Sequence, residues 1–131
     1  MSDHPAAYSA ARIYASWILG VLFIFAGAYH FVNPRPYVAM MPAYLPWPDA
    51  LVAVSGMAEI MGGIGVMIPQ TRRLAAWGLI ALLVAVFPAN LNVALHGWPG
   101  MELPRWVLWL RLPLQPVFMG LVYRICIRTP A

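Results

Sequence analysis

Four long runs of apolar residues alternate with short polar or proline-rich segments along the chain. The runs cover residues 13–32, 50–68, 74–95 and 106–126. Each has about 20 residues, the length of an α-helix that crosses the hydrocarbon core of a bilayer. The pattern predicts an all-α fold, a bundle of four transmembrane helices with short connections.

The longest connection, "NPRPYVAMMPAYLPWP" at residues 33–48, contains five prolines. Each proline lacks a backbone N–H and biases the residue before it towards extended geometry, so one continuous helix is excluded. Tyr37, Tyr44 and Trp47 suit the headgroup zone of a membrane. We expect an ordered interfacial loop or a broken short helix over one end of the bundle, and the simplest interpretation of its aromatic residues is a membrane anchor.

The first run resembles a secretory signal peptide in two respects. Arg12 precedes it, and the small residues "AGA" at 26–28 imitate a cleavage site. However, the apolar run continues past that site and is long enough to span a bilayer. We therefore expect an uncleaved first helix.

The composition indicates an integral membrane protein. Of 131 residues, 63% are hydrophobic and 9% are charged, whereas a soluble domain has about 25% charged residues. We expect residues 1–131 to form one membrane domain, without a nucleotide-binding or extramembrane catalytic domain. The single cysteine, Cys126, excludes an intrachain disulfide, a CxxC redox pair and a thiolate-bound cluster.

The distribution of charge predicts the orientation in the membrane. All eight basic residues are arginine. Two of them, Arg35 and Arg105, fall on one predicted side, with Asp49 and Glu102 nearby. The opposite side collects Arg12, Arg72, Arg73, Arg124 and Arg128. The positive-inside rule then places both termini in the cytoplasm and the proline-rich loop on the extracytoplasmic side of a bacterial inner membrane, as in a multi-pass cell-membrane protein. No run of basic residues exceeds two, so we expect no nucleic-acid partner.

Two ionisable residues lie where a lipid-facing side chain would be costly. Glu59 is ten residues into the second predicted span, roughly 15 Å deep, and Arg111 is roughly 9 Å deep in the fourth. A charge at the centre of a membrane helix costs about 2.5–3.5 kcal/mol on insertion scales. Our hypothesis is that Glu59 and Arg111 reduce this cost by pairing, directly or through Gln115 or a water molecule.

Further polar residues fall in the same half of the membrane, and together they predict an internal polar site. Pro88, Pro113 and Pro116 would each remove a backbone hydrogen bond nearby and help to open a pocket. The alternative is that the polar groups only hold the helices in register. The candidate ligand-binding residues are His30, Glu59, Asn90, Asn92, His96, Arg111 and Gln115.

His30 and His96 lie on separate helices at one membrane level, as two axial haem ligands would. Both are at helix ends, where histidine is usually a polar residue at headgroup level, so we do not expect haem. The depths of Glu59, His30 and His96 differ by about two helical turns, so no metal site is predicted. Catalytic residues are not assigned.

Several segments resemble the DoxX-like family of small four-helix membrane proteins, over roughly residues 13 to 125. The similarity comprises the HF-x-x-P end of the first span, the MP-x-x-LP loop, the SG-x-x-E-x-x-G-G stretch around Glu59 and the FPAN stretch ending at Asn90. By position, the resemblance implies that His30, Glu59, Asn90 and Arg111 are the signature polar residues. It also implies an association with membrane redox enzymes, since members are linked to thiosulfate:quinone oxidoreductase or to the assembly of such enzymes.

We therefore expect an accessory subunit of a membrane redox system that binds a small amphipathic ligand, with a quinone headgroup as the expected one, in an intramembrane pocket. Whether it catalyses a reaction stays open. The alternative is a non-catalytic scaffold or assembly factor, with the polar cluster serving structure and the lipid-facing surface binding a client protein. A small transporter is disfavoured because the chain lacks inverted repeats. Expected partners are the bilayer, the ligand and a membrane redox protein, and the glycine-rich faces leave a homo-oligomer open.

Overall fold

A computed structural model describes residues 9–128 of the chain. The helices are α1 (Ala10–Val32), α2 (Arg35–Ala39), α3 (Pro48–Met67), α4 (Arg72–His96) and α5 (Arg105–Val122), and a π-helical turn (Tyr123–Ile127) continues α5. The described residues form an all-helical bundle. The outermost residues of both chain ends, which we predict to share one side of the membrane, lie outside this range.

The four predicted spans are confirmed as helices. Among the described residues, four helices are long and apolar enough to cross a membrane, the last being α5 together with its π-helical turn. Their ends differ from the predicted ones by a few residues; α1, for example, begins at Ala10 because the Ser9 side chain accepts a hydrogen bond from the Arg12 amide. The proline-rich connection contains the short helix α2, as expected for a broken segment.

Successive long helices run in opposite directions, so the bundle has two distinct ends. At one end the Arg12 guanidinium donates hydrogen bonds to the carbonyl oxygens of Arg124, Ile125 and Arg128. The Arg72 side chain donates in the same way to carbonyl oxygens at the end of α3. Carbonyl groups at helix C-termini lack intrahelical donors, and these arginines supply them. We call this the arginine end, and the opposite end the α2 end.

Close packing of α1 on α3 depends on two pairs of glycines. A Cβ atom added to Gly27 would lie 2.5 Å from the Gly56 carbonyl oxygen, and one added to Gly20 would lie 2.5 Å from that of Gly63. Only glycine lets two helix backbones approach so closely. The pairs are seven residues apart on both helices, so they fix the register of α1 against α3.

The apolar core has two parts, one towards each end. The first lies towards the arginine end and joins all four long helices and the π-helical turn; it includes Leu19, Val66, Leu79 and Cys126. The second lies towards the α2 end and consists of Met40, Ala89, Val93 and Leu108. The space between the two parts is where the polar side chains converge.

Candidate functional site

A partly open cavity of about 320 Å³ lies in the half of the bundle nearer the α2 end. All five helices contribute to its wall, which is mainly apolar. Its volume is at the lower end of the range for small-molecule sites, roughly 300–1,000 Å³. The polar lining residues are His30, Tyr37, Ser55, Glu59, Asn90, Arg111 and Gln115.

Glu59 pairs with His30 across the α1–α3 interface. The Oε2 atom of Glu59 lies 3.3 Å from the Nε2 atom of His30. The two residues are brought together by the glycine contact, since Gly56 packs directly against the His30 side chain. No well-aligned hydrogen-bond donor reaches Oε2 within the described residues, so this oxygen can still accept a hydrogen bond from a bound molecule.

The other side of the His30 ring determines how the pair shares protons. Nδ1 lies 3.2 Å from the Val52 carbonyl oxygen and 3.4 Å from the Ser55 hydroxyl, which itself donates to Val52. A ring nitrogen facing a carbonyl oxygen must carry the proton. The facing Nε2 and Glu59 Oε2 then hold one proton between them, either as an ion pair or as a neutral acid and imidazole.

The predicted direct pairing of Glu59 with Arg111 is not formed. Among the described residues, His30 is the group at salt-bridge distance from Glu59. The Arg111 guanidinium lies over the Trp98 ring instead, 4.6 Å from its centroid, in a cation–π contact. Glu59 and Arg111 nevertheless line the same cavity, on different walls. The two residues therefore share one polar site without pairing directly.

Two buried amides have oxygen atoms that lack a partner. Asn90 and Gln115 are each 7% exposed, and within residues 9–128 nothing donates to Asn90 Oδ1 or Gln115 Oε1. The Gln115 Nε2 atom donates to the Leu83 carbonyl oxygen at 3.4 Å, which fixes the orientation of that amide. Buried polar atoms are nearly always hydrogen-bonded, and an unpaired one costs about 1–3 kcal/mol.

Asn92 and His96, both predicted as site residues, lie outside the cavity lining. Asn92 donates to the Met40 carbonyl oxygen at 3.1 Å, and its Oδ1 lies 3.2 Å from Nδ1 of His96. The helical period explains the separation from Asn90, because residues two apart point to nearly opposite sides of a helix, whereas residues four apart share a face. Asn92 and His96 therefore tether the loop rather than line the cavity.

The segment containing α2 covers the cavity and is fastened at two points. Trp98 Nε1 donates to the Pro36 carbonyl oxygen at 2.8 Å, and Asn92 holds Met40. Between these points Tyr37 packs against the His30 ring, with centroids 3.9 Å apart and the ring planes tilted by 44°. Burial raises the pKa of the Tyr37 phenol; the negative charge of Glu59 adds to the rise and the Arg111 guanidinium opposes it.

The chain was compared with known protein families, curated proteins and solved structures. A family model described as "Domain of unknown function (DUF8561)" matches residues 19–126. The chain belongs to the DUF8561 family. No curated protein and no solved structure matches the chain.

The DUF8561 match includes every cavity-lining residue, from Ala26 to Phe118. The family description gives no function and no connection with the DoxX-like proteins. The resemblance to that family, and the redox association that it implies, therefore remain predictions.

Three residues of the candidate site were not predicted as site residues from the sequence. Ser55 is one helical turn before Glu59, so its place on the same face could have been inferred from the spacing. Tyr37 was interpreted only as a membrane anchor, because nothing local indicates that the proline-rich loop folds back over His30. Trp98 supports Arg111 from a different connection, a contact that no spacing within one helix indicates.

Proposed function

We propose that this protein binds the polar head of a small amphipathic molecule, with a quinone-type ring as the best candidate, and serves as an accessory subunit of a membrane redox system. One observation carries the binding proposal. Within residues 9–128, two buried amide oxygens without a hydrogen-bond donor, on Asn90 and Gln115, line one cavity together with the His30–Glu59 pair and the Arg111 guanidinium.

The chemistry of the cavity suits such a ligand. Its wall is mostly apolar, which favours a flat ring, and polar groups from all five helices line it. Arg111 supplies N–H donors, and the amide oxygens of Asn90 and Gln115 would take hydrogen bonds from hydroxyl groups. The His30–Glu59 pair can give or receive a proton without a change in its packing.

A purely structural role is a weaker explanation for the cavity residues. Polar side chains that only hold helices together form hydrogen bonds between helices, as Asn92 does with Met40. Asn90 contributes no such bond within the described chain, and only one of the two polar atoms of Gln115 does. The scaffold hypothesis fits Asn92, Arg12 and Arg72 well, and it leaves the unpartnered acceptors unexplained.

We further propose that the arginine end faces the cytoplasm of a bacterial cell and that the cavity lies in the outer half of the inner membrane. The excess of arginine at that end supports this orientation. Aromatic side chains flank both ends of the apolar surface, with Trp17 and Trp77 near the arginine end and Trp47 and Trp106 near the α2 end, all exposed. Such belts are typical of the two membrane interfaces.

The proposed binding is tested by thermal unfolding of the purified protein with and without a short-chain p-benzoquinone or its quinol. Ligand that binds only the folded protein raises the unfolding midpoint. We expect a rise for wild type and for Glu102→Leu, which alters an exposed carboxylate outside the cavity, and a much smaller rise for Glu59→Leu. Equal rises in all three proteins, or none in wild type, would contradict the proposal.

A further inference from the structure

The four long helices do not close into a complete ring around the cavity. Helix α1 packs along α3, and α5 packs along α4, but within residues 9–128 α1 and α5 form no extended interface. Helix α1 and the end of α5 are joined at the arginine end, where the Arg12 side chain donates hydrogen bonds to carbonyl groups of the π-helical turn. Towards the α2 end the two helices are therefore separated by a gap.

The cavity reaches this gap. Ala26 on α1 and Leu114 and Phe118 on α5 line the cavity and are also exposed at the bundle surface, Leu114 by 41% and Phe118 by 40%. All three side chains are apolar. The gap is therefore an apolar passage that connects the polar interior with the surface that would face lipid.

The polar groups at the inner end of this passage include two buried acceptors without a partner. Asn90 Oδ1 and Gln115 Oε1 are buried and lack donors among the described residues, whereas Glu59 shares a proton with His30 and Arg111 supplies N–H donors from a different wall. The Gln115 amide cannot turn over without losing its hydrogen bond to Leu83 and placing two oxygens face to face. A carbonyl oxygen of a ligand would be repelled by these acceptors, and a hydroxyl group would satisfy them.

From these two features, and resting on the proposed function, we propose that the ligand is a membrane-dissolved ring with hydroxyl groups and an apolar tail, that is, the quinol rather than the quinone form. Its ring passes sideways between α1 and α5, and its two hydroxyl groups donate to the amide oxygens of Asn90 and Gln115. Its tail remains in the gap beside Ala26, Leu114 and Phe118. The ligand is thus taken from the hydrocarbon and not from water.

The test compares a decyl-tailed p-benzoquinol, kept reduced under anaerobic conditions, with the matching quinone. Binding is followed as the ligand concentration that gives half of the maximal rise in unfolding midpoint. We expect the quinol to act at concentrations at least about tenfold lower, because each buried acceptor that a ligand satisfies contributes roughly a factor of ten.

The gap is tested with Ala26→Trp and Leu114→Trp, which place a large side chain on either side of it. Gly120→Trp is the matched control, because a side chain there meets nothing within 4 Å. We expect each gap variant to weaken binding of the tailed quinol by about tenfold and to affect a tail-less quinol less, with Gly120→Trp unchanged. Two gap variants are used because, if one of them misfolds, the other can still be tested.

The outcomes separate this inference from the proposed function. If the quinone binds as well as the quinol, or if folded gap variants bind the tailed quinol like wild type, the inference is overturned and the cavity remains a ligand site. If neither form stabilises wild type, the proposed function fails as well.

Discussion

His30 and Glu59 meet across the α1–α3 interface, with Nε2 and Oε2 3.3 Å apart. The contact is possible because the glycines of both helices bring the backbones together, and it couples the core of the bundle to the cavity. Helix packing and the candidate site therefore depend on each other.

The first prediction concerns this pair. We expect His30→Ala and Glu59→Ala each to lower the free energy of unfolding by about 1–3 kcal/mol, because each leaves its partner buried and unpaired. The double variant should lose less than the sum, with a coupling of about 1 kcal/mol. The free energies of unfolding of wild type, the two single variants and the double variant are measured by reversible unfolding in mixed micelles. Strict additivity would show that the 3.3 Å contact contributes nothing to stability.

The second prediction concerns the glycine contact. We expect Gly27→Ala to destabilise the protein by about 1–3 kcal/mol, because the added Cβ would lie 2.5 Å from a backbone oxygen of α3 that cannot move aside alone. The control is Gly78→Ala on α4, where an added Cβ has no neighbour within 4 Å. That variant should be unchanged or slightly more stable, since alanine favours helix. Similar unfolding midpoints for both variants would contradict the close packing.

The third prediction uses two asparagines on one helix as a matched pair. Asn90→Leu removes a buried, unpartnered acceptor, so the ligand-free protein should be as stable as wild type or more stable, and it should lose its response to quinol. Asn92→Leu removes the hydrogen bond to Met40, so it should be less stable by about 1 kcal/mol and should keep the response. Thermal unfolding with and without ligand measures both effects. If Asn92→Leu loses the response to quinol and Asn90→Leu keeps it, the binding site lies elsewhere.

The fourth prediction concerns the pH dependence of stability. The unfolded Tyr37 phenol titrates near pH 10, and burial raises its pKa in the folded protein. As pH rises above about 10, the unfolded chain releases a proton that the folded protein retains, so stability falls. Tyr37→Phe should therefore lose less stability than wild type between about pH 9 and pH 11. Tyr44→Phe, at an exposed position, should behave like wild type.

Hydrophobic patterning was sufficient to predict the helices, because a run of about 20 apolar residues has few other stable structures in lipid. It also located Glu59, Arg111 and Gln115, whose polarity is anomalous in such a run. All three line the cavity, and Arg111 and Gln115, four residues apart, share one face of α5.

Partners across helices could not be predicted from the sequence. Whether Glu59 faces His30 or Arg111 depends on the rotation and register of α3 against its neighbours, and the glycine pairs that set this register are recognisable only in the fold. The position of Tyr37 depends in the same way on the folding of the proline-rich segment. Asn92 and His96 were grouped with the site by depth alone, although the helical period already separates Asn90 from Asn92.

The most direct test of the central claim, that the cavity holds a membrane-borne amphipathic molecule, is native mass spectrometry of the protein extracted from its own membranes. We expect wild type and Asn92→Leu to carry a bound species of one discrete mass, and Gln115→Leu to lack it. A wild-type protein without any bound species that is also unresponsive to added quinol, or the same species on all three proteins, would contradict the claim.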